Sequence, residues 1–186
     1  MLLQDDPSVQ RLAPLVPSAF LSDEQVEAIA QALHTYYIAQ NYYSDADEVQ
    51  RNWDDAPDWA REGSREQARW IPTILELAGF RLREYPAAVP SVFQASAEIG
   101  TANTDFNAAH PDHPKAQEMA ALEHARWCIE RTAAGWKFGP ERDNDNKRRP
   151  DLVGWADLSV ASRNKDYFFV GFWPFALERA GLAISA

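Results

Sequence analysis

The sequence predicts a mainly α-helical chain of two related helical repeats arranged as a pseudo-twofold pair, and three observations carry this. Apolar residues recur at helical spacing in four long stretches, three of them with a capping or stop signal. Residues 53–80 align without a gap with residues 155–182, at an offset of 102. The matches are Trp53/Trp155, Asp55/Asp157, Arg61/Arg163, Pro72/Pro174, Leu75/Leu177, Glu76/Glu178, Ala78/Ala180 and Gly79/Gly181. Upstream, LHTYYIAQ corresponds to EHARWCIE at an offset of 90, which sets His34 against His124 and Tyr37 against Trp127. The second copy therefore carries twelve extra residues, and they fall in one charged loop. A duplicated unit whose copies differ chiefly in a loop points to function gathered between the copies.

In chain order, residues 1–21 form an N-terminal arm with Pro7, Pro14 and Pro17, expected to pack irregularly. The first helix begins where Ser22 can cap and Gln25 can close a capping box, with Leu21 stapled onto Val26. It runs to about Gln40, with Ile29, Leu33 and Tyr36 at core spacing. Residues 41–60 are acidic and broken by Pro57. A second helix is expected from Ser64, where Gln67 offers another capping box, to about Ala78, with Gly79 as its stop and Pro72 as a kink or a fresh turn. This first repeat covers 22–83. Residues 84–114, with four prolines, form a connector with a short helix near 91–98. The second repeat, 115–186, opens with a helix over 115–134, continues through a loop of 135–154 and a bend at Trp155, and ends in a helix over about 164–180 stopped by Gly181.

The totals narrow the function. With 46% hydrophobic and 12% aromatic residues in 186, the chain has material for one domain or two small ones. A formal net charge of −10 argues against nucleic acid and against anionic membranes as partners, since both attract a basic field. No apolar run is long enough to span a membrane, and MLLQDDPSVQ lacks a signal pattern. The single cysteine, Cys128, forms no internal disulfide, which fits a reducing cytoplasm. It reads as a small buried side chain rather than a nucleophile.

Chemistry concentrates in residues 119–155. On the third helix Leu122, Ala125 and Ile129 share the expected core side, while His124, Trp127 and Arg131 cluster roughly opposite. An indole on a non-core face calls for a partner. Either the other repeat packs over it, or it is an open stacking platform for a planar ring, with His124 and Arg131 beside it and His34 and Tyr37 as counterparts. The loop then offers Trp136 and Phe138 as walls and Arg142, Lys147, Arg148 and Arg149 as cations, against Glu141, Asp143 and Asp145. Cations beside an aromatic face suit recognition of a base and its phosphates. The alternative is a solvated surface loop whose ion pairs contribute little.

At these residues the chain resembles the Ry repeat of ryanodine receptors and its prokaryotic relatives. The ordered pattern is His124-Ala-Arg-Trp127, Gly135-Trp-Lys-Phe-Gly139, Arg142-Asp143, Lys147, Pro150-Asp-Leu-Val153, Trp155 and Leu158; Arg149 stands where the family usually has a histidine. The match covers about 117–182, and residues 24–82 resemble a degenerate copy without the GWxFG and RD segments. The resemblance implies a mostly helical fold with short extended segments in the loops, in which tandem repeats pair face to face. It also implies an adenine nucleotide held between the aromatics of the two H-x-x-W segments, carried over here to Trp127 and Tyr37. Prokaryotic members are proposed to sense NAD-derived or cyclic nucleotide signals in antiviral and stress systems.

Other signals are discounted. His110-Pro-Asp-His113 lacks further metal ligands nearby. Asp143-Asn-Asp-Asn-Lys147 has Arg148 and Gly154 where a calcium loop needs glycine and glutamate. No phosphate-binding glycine loop or nucleophile elbow is present, so neither an enzyme nor a cofactor or metal is expected. The expected function is binding, for sensing or sequestering, of a small nucleotide-derived ligand at the repeat interface. There Trp127 and Tyr37 would stack, Arg142, Lys147 and Arg148 hold phosphates, His124 or His34 donate a hydrogen bond, and Asp143 orient a cation or ribose hydroxyl. The alternative is a protein-interaction or oligomerisation module, with a homo-oligomer or an effector protein as partner.

Overall fold

The computed structural model of the chain describes residues 3–39, 52–84 and 114–185. It is mainly helical, as expected. The helices are α1 (Pro7–Leu12), α2 (Asp23–Ala39), α3 (Asp58–Leu77), α4 (Pro114–Ala133) and α5 (Val160–Glu178). Short strands β1 (Arg81–Glu84), β2 (Lys137–Phe138), β3 (Arg148–Arg149) and β4 (Leu182–Ser185) complete it, with single 3-10 turns at Leu3–Asp5, Trp53–Asp55 and Trp155–Asp157. Two compact units emerge: a first of Met1–Val16 with Ala108–Val170, and a second of Pro17–Asn107 with Gly171–Ala186.

In the second unit, α2 starts at the capping box read from the sequence. The Ser22 amide donates to Gln25 Oε1 at 3.0 Å, and the Gln25 amide donates to Ser22 Oγ at 3.3 Å. Val26, Ile29, Ala30 and Leu33 form its buried stripe against Ala68, Ile71, Ile74 and Leu75 of α3. Tyr36 is half-buried and stacks on Phe172, ring centroids 4.0 Å apart. Helix α3 begins six residues before the expected Ser64, since Pro57 and Asp58 already open it; Ser64 sits mid-helix and bonds back to the Ala60 carbonyl. Pro72 is accommodated inside the helix, buried, and neither ends it nor starts a new one. Gly79, at φ +89, closes the end with Phe80 N donating to the Leu75 carbonyl at 2.8 Å, the bond pattern that a left-handed residue permits. Strands β1 and β4 had no counterpart in the sequence reading. They pair antiparallel, Arg81 opposite Ser185, so the C-terminal residues close the second unit.

In the first unit, α4 is buried along most of its middle, including Met119, Ala120, Leu122, Ala125 and Cys128. The N-terminal arm is not irregular. Asp6 caps α1, accepting from the Ser8 and Val9 amides at 2.8 and 3.4 Å, and Pro7 takes the first helical position, where a missing amide costs nothing. Leu12, 1% exposed, packs α1 onto α4, a burial worth about 1.5–3 kcal/mol. Arg11 adds an ion pair to Glu118 at 2.9 Å.

The two aligned segments share local geometry. Each opens with a 3-10 turn at its tryptophan, Trp53–Asp55 and Trp155–Asp157, and each continues into a long helix with an internal proline. Each helix is followed by a positive-φ glycine, Gly79 or Gly181. Most of the connector, the helix expected near 91–98 and most of the acidic stretch lie outside the described residues.

Candidate ligand-binding site

The first unit gathers nine of the expected site residues, while His34 and Tyr37 belong to the second. The middle of α4 organises the cluster. Trp127 is half-buried and lies against the His124 ring at 5.8 Å with planes 29° apart. His124 is not on an open face; it is 4% exposed, and the expected core residue Ile129 is only half-buried. The reason is chemical: each ring nitrogen has a partner inside the unit. Nε2 donates to the Val153 carbonyl at 2.9 Å, with Cys128 Sγ at 3.3 Å, and Nδ1 faces Asp166 Oδ2 at 3.5 Å. Burial by itself lowers the basicity of this imidazole, but hydrogen bonding to and electrostatic attraction by Asp166 and Cys128 outweigh it, raising its pKa to about 10. His124 is therefore an imidazolium at neutral pH, with two N–H donors directed inward. Burial raises the Asp166 pKa against the opposing pull of His124. Trp155 completes this aromatic group, 6.0 Å from His124 and edge-on to Tyr167 at 5.7 Å.

A second buried ionic group shares the helix. Glu123 and Arg126 are 3% and 5% exposed, and the Arg126 guanidinium holds both Glu123 oxygens at 2.8–3.1 Å and Glu130 Oε2 at 2.7 Å. Burial raises the Glu123 pKa against the attraction of Arg126, and the carboxylates raise that of Arg126 against its own burial.

One turn beyond Trp127 on the same helix face stands Arg131, its guanidinium 5.8 Å from the Trp136 ring centroid, while that of Arg149 lies 5.0 Å from the same ring. Arg131 Nε is buried and has no hydrogen-bond partner among the described residues. The loop is held by its backbone: Lys137 N donates to the Lys147 carbonyl at 2.9 Å and Gly139 N to the Arg149 carbonyl at 3.2 Å. Lys147, at φ +52, spends its ammonium on the Ala134 carbonyl at 2.9 Å, capping the end of α4. Asp143 accepts from the Asn146 amide and side chain at 3.0 and 2.7 Å, which keeps its carboxyl below the usual range, and Arg142 bonds Asn144 at 3.1 Å. Arg148 is exposed and packs across Gly139; Phe138 is 56% exposed.

One comparison with known families finds a match in this region. Residues 101–170 fit the family model of the RyR domain. The chain carries a RyR domain. No curated protein matches it. The matched span covers α4, the loop and the first half of α5, and the N-terminal residues that pack in the same unit lie outside it.

Within the RyR domain, Trp127 rests on the buried His124 and Arg131 lies over Trp136, whereas Lys147 and Asp143 bond within the loop and its helix end. In the second unit, His34 is 2% exposed and edge-on to Trp53 at 5.4 Å, and Tyr37 is half-buried. There Glu27 and Arg65 occupy Trp53: the indole donates to Glu27 at 3.1 Å, and the Arg65 guanidinium lies 5.3 Å from the ring. Tyr167, which aligns with Arg65, fills that role on Trp155 in the RyR domain. Among the described residues no group of three or more His, Cys, Asp or Glu side chains is arranged to hold a metal. His110 and His113 lie outside the described residues. The sequence alone singled out neither Asp6 nor Asp166, which the structure places against Trp155 and His124. Asp6 had a readable signal, an Asp directly before a Pro. Asp166 had none.

Proposed function

We propose that the chain binds a small nucleotide-derived molecule through its RyR domain, as a sensor or a sequestering protein in nucleotide-signalled, including antiviral, responses. The observation that carries this reading is the surface of Trp127 and Arg131. The indole is braced from within by the His124 imidazolium and half-exposed outward, and one turn on stands a guanidinium whose buried Nε lacks a partner among the described residues. A planar base stacks on such an indole, worth about 1–3 kcal/mol, and phosphate oxygens take the guanidinium donors. The exposed Arg148 adds charge to the same domain.

The test is a thermal-shift panel of ATP, ADP-ribose, NAD, cyclic ADP-ribose isomers and cyclic dinucleotides. A ligand at a hundredfold its Kd stabilises by about 2.7 kcal/mol, enough to raise the midpoint by several degrees. The shift is expected to vanish in Trp127→Ala with the fold retained. A flat panel rejects the reading. Phe138 and Phe168, 56% and 49% exposed in the first unit, favour an interaction module as the second reading, which a flat panel with dimerisation of the pure protein would support.

A further inference from the structure

We infer that Asp6, outside the matched RyR span, is a positioning residue of the binding site, and that the N-terminal segment is an integral part of it. The inference deepens the nucleotide-binding reading and rests on it. Asp6 is 3% exposed, and its two carboxylate oxygens do different things. Oδ1 caps α1 through Ser8 and Val9, and Oδ2 accepts from the Trp155 amide at 2.8 Å. That second bond meets a specific need. The Trp155–Asp157 turn has Gly154 at its N-cap, which offers no side chain, so its first amide would otherwise lack an acceptor.

The turn in question carries the support of Trp127. The Val153 carbonyl, two residues before Trp155, accepts a hydrogen bond from His124 Nε2, and the Trp155 ring lies 6.0 Å from the same imidazole. His124 in turn lies against Trp127 at 5.8 Å. Leu152 and Leu158 pin the segment by packing, but packing fixes no hydrogen-bond direction; the Asp6 carboxylate does. Asp6 thus orients Val153–Trp155, which orients His124, which sets the tilt of the stacking indole. Recognition of a planar base tolerates little change in that tilt.

Asp6→Ser separates the two roles, because serine caps a helix well but is too short to reach Trp155 as well. With ADP-ribose and ATP as probes, Kd measured well below the unfolding temperature is expected to weaken about tenfold, and the His124 imidazole ¹⁵N resonances to shift. Should Asp6→Ser fail to fold, Asp6→Asn keeps the side-chain volume. Its single oxygen can serve the cap, which turns an amide donor toward the Trp155 N–H, and the same changes are expected. A lower melting temperature with unmoved Kd and unmoved His124 resonances would overturn the inference and leave Asp6 as an α1 cap alone. If wild type binds neither probe, the nucleotide reading fails by itself for these ligands. The positioning role is then decided by the His124 resonances, which sustain it if they shift in the variant and reject it if they do not.

Discussion

At the scale of single residues, the RyR domain spends its unusual chemistry inside. Arg126 is nearly enclosed, yet three carboxylate oxygens meet its guanidinium, and those contacts offset the cost of removing charge from water. Such a pair stabilises only while both members are present. Arg126→Met strands the Glu123 charge and is expected to lower the unfolding free energy by about 3–5 kcal/mol in urea. Glu123→Leu combined with Arg126→Met removes both charges and should recover most of that loss; a double variant no more stable than the single one would show that the pair does more than compensate its own burial. Nothing in the sequence marks this pair, because Glu123 and Arg126 at i and i+3 look like an ordinary solvated helix pair. Burial decides otherwise, since the helix is enclosed on more sides than its apolar residues alone reveal. The same enclosure buries His124, whose Nε2 donates to the Val153 carbonyl.

At the scale of elements, the helices were legible and the pairings between distant segments were not. Ser22 and Gln25 announced α2, and Gly79 and Gly181 announced the ends of α3 and α5, because caps and stops are local. Strands β1 and β4 escaped because neither alternates clearly; each exists through the other, across most of the chain. The loop was legible as a loop, but its internal economy was not. Lys147 and Asp143 read as ligand-facing charges in the sequence; the structure shows Lys147 bonded to the Ala134 carbonyl and Asp143 to Asn146. Gly139 offers a test of that architecture. A Cβ there would lie 2.8 Å from Arg148 Cβ and 3.1 Å from its Cδ, and the Cβ sits on backbone that cannot swing aside. Gly139→Ala is therefore expected to force Gly139 away from Arg149, costing about 1–3 kcal/mol and speeding hydrogen exchange of the Gly139 amide, which donates to Arg149. Unchanged exchange would mean that the Arg148 backbone yields without disturbing the ladder. Gly79→Ala meets nothing within 4 Å, so its cost comes from positive φ alone, and it serves as the control.

At the scale of the molecule, composition and periodicity suffice for the helical class, whereas the compact units are discontinuous in sequence. Met1–Val16 joins the RyR residues, and Gly171–Ala186 joins the second unit, because α1 buries Leu12 on α4 and β4 pairs with β1. Linear patterns do not report which distant segments complete a core. The stability of the whole chain should carry the signature of His124. Its folded pKa, about 10, lies above the unfolded value near 6.5. The folded state therefore holds a proton that the unfolded chain has released in the window between them. The resulting stabilisation is complete below about pH 6.5 and is lost progressively as pH rises toward 10. Burial-raised Asp166 and Glu123 act with the same sign over the range above ordinary carboxylate values, so they do not oppose the trend at alkaline pH. The urea midpoint of the unfolding transition is expected to fall from pH 7 to pH 9. The net charge of −10 also contributes to that fall, so the decisive comparison is with His124→Gln, which keeps a donor but cannot titrate. The variant should be less stable at pH 7, and its midpoint should depend less steeply on pH. Equal slopes in the two proteins would mean that His124 sits in the fold as a neutral ring, and that the brace behind Trp127 is held by packing and the Val153 hydrogen bond without the charge.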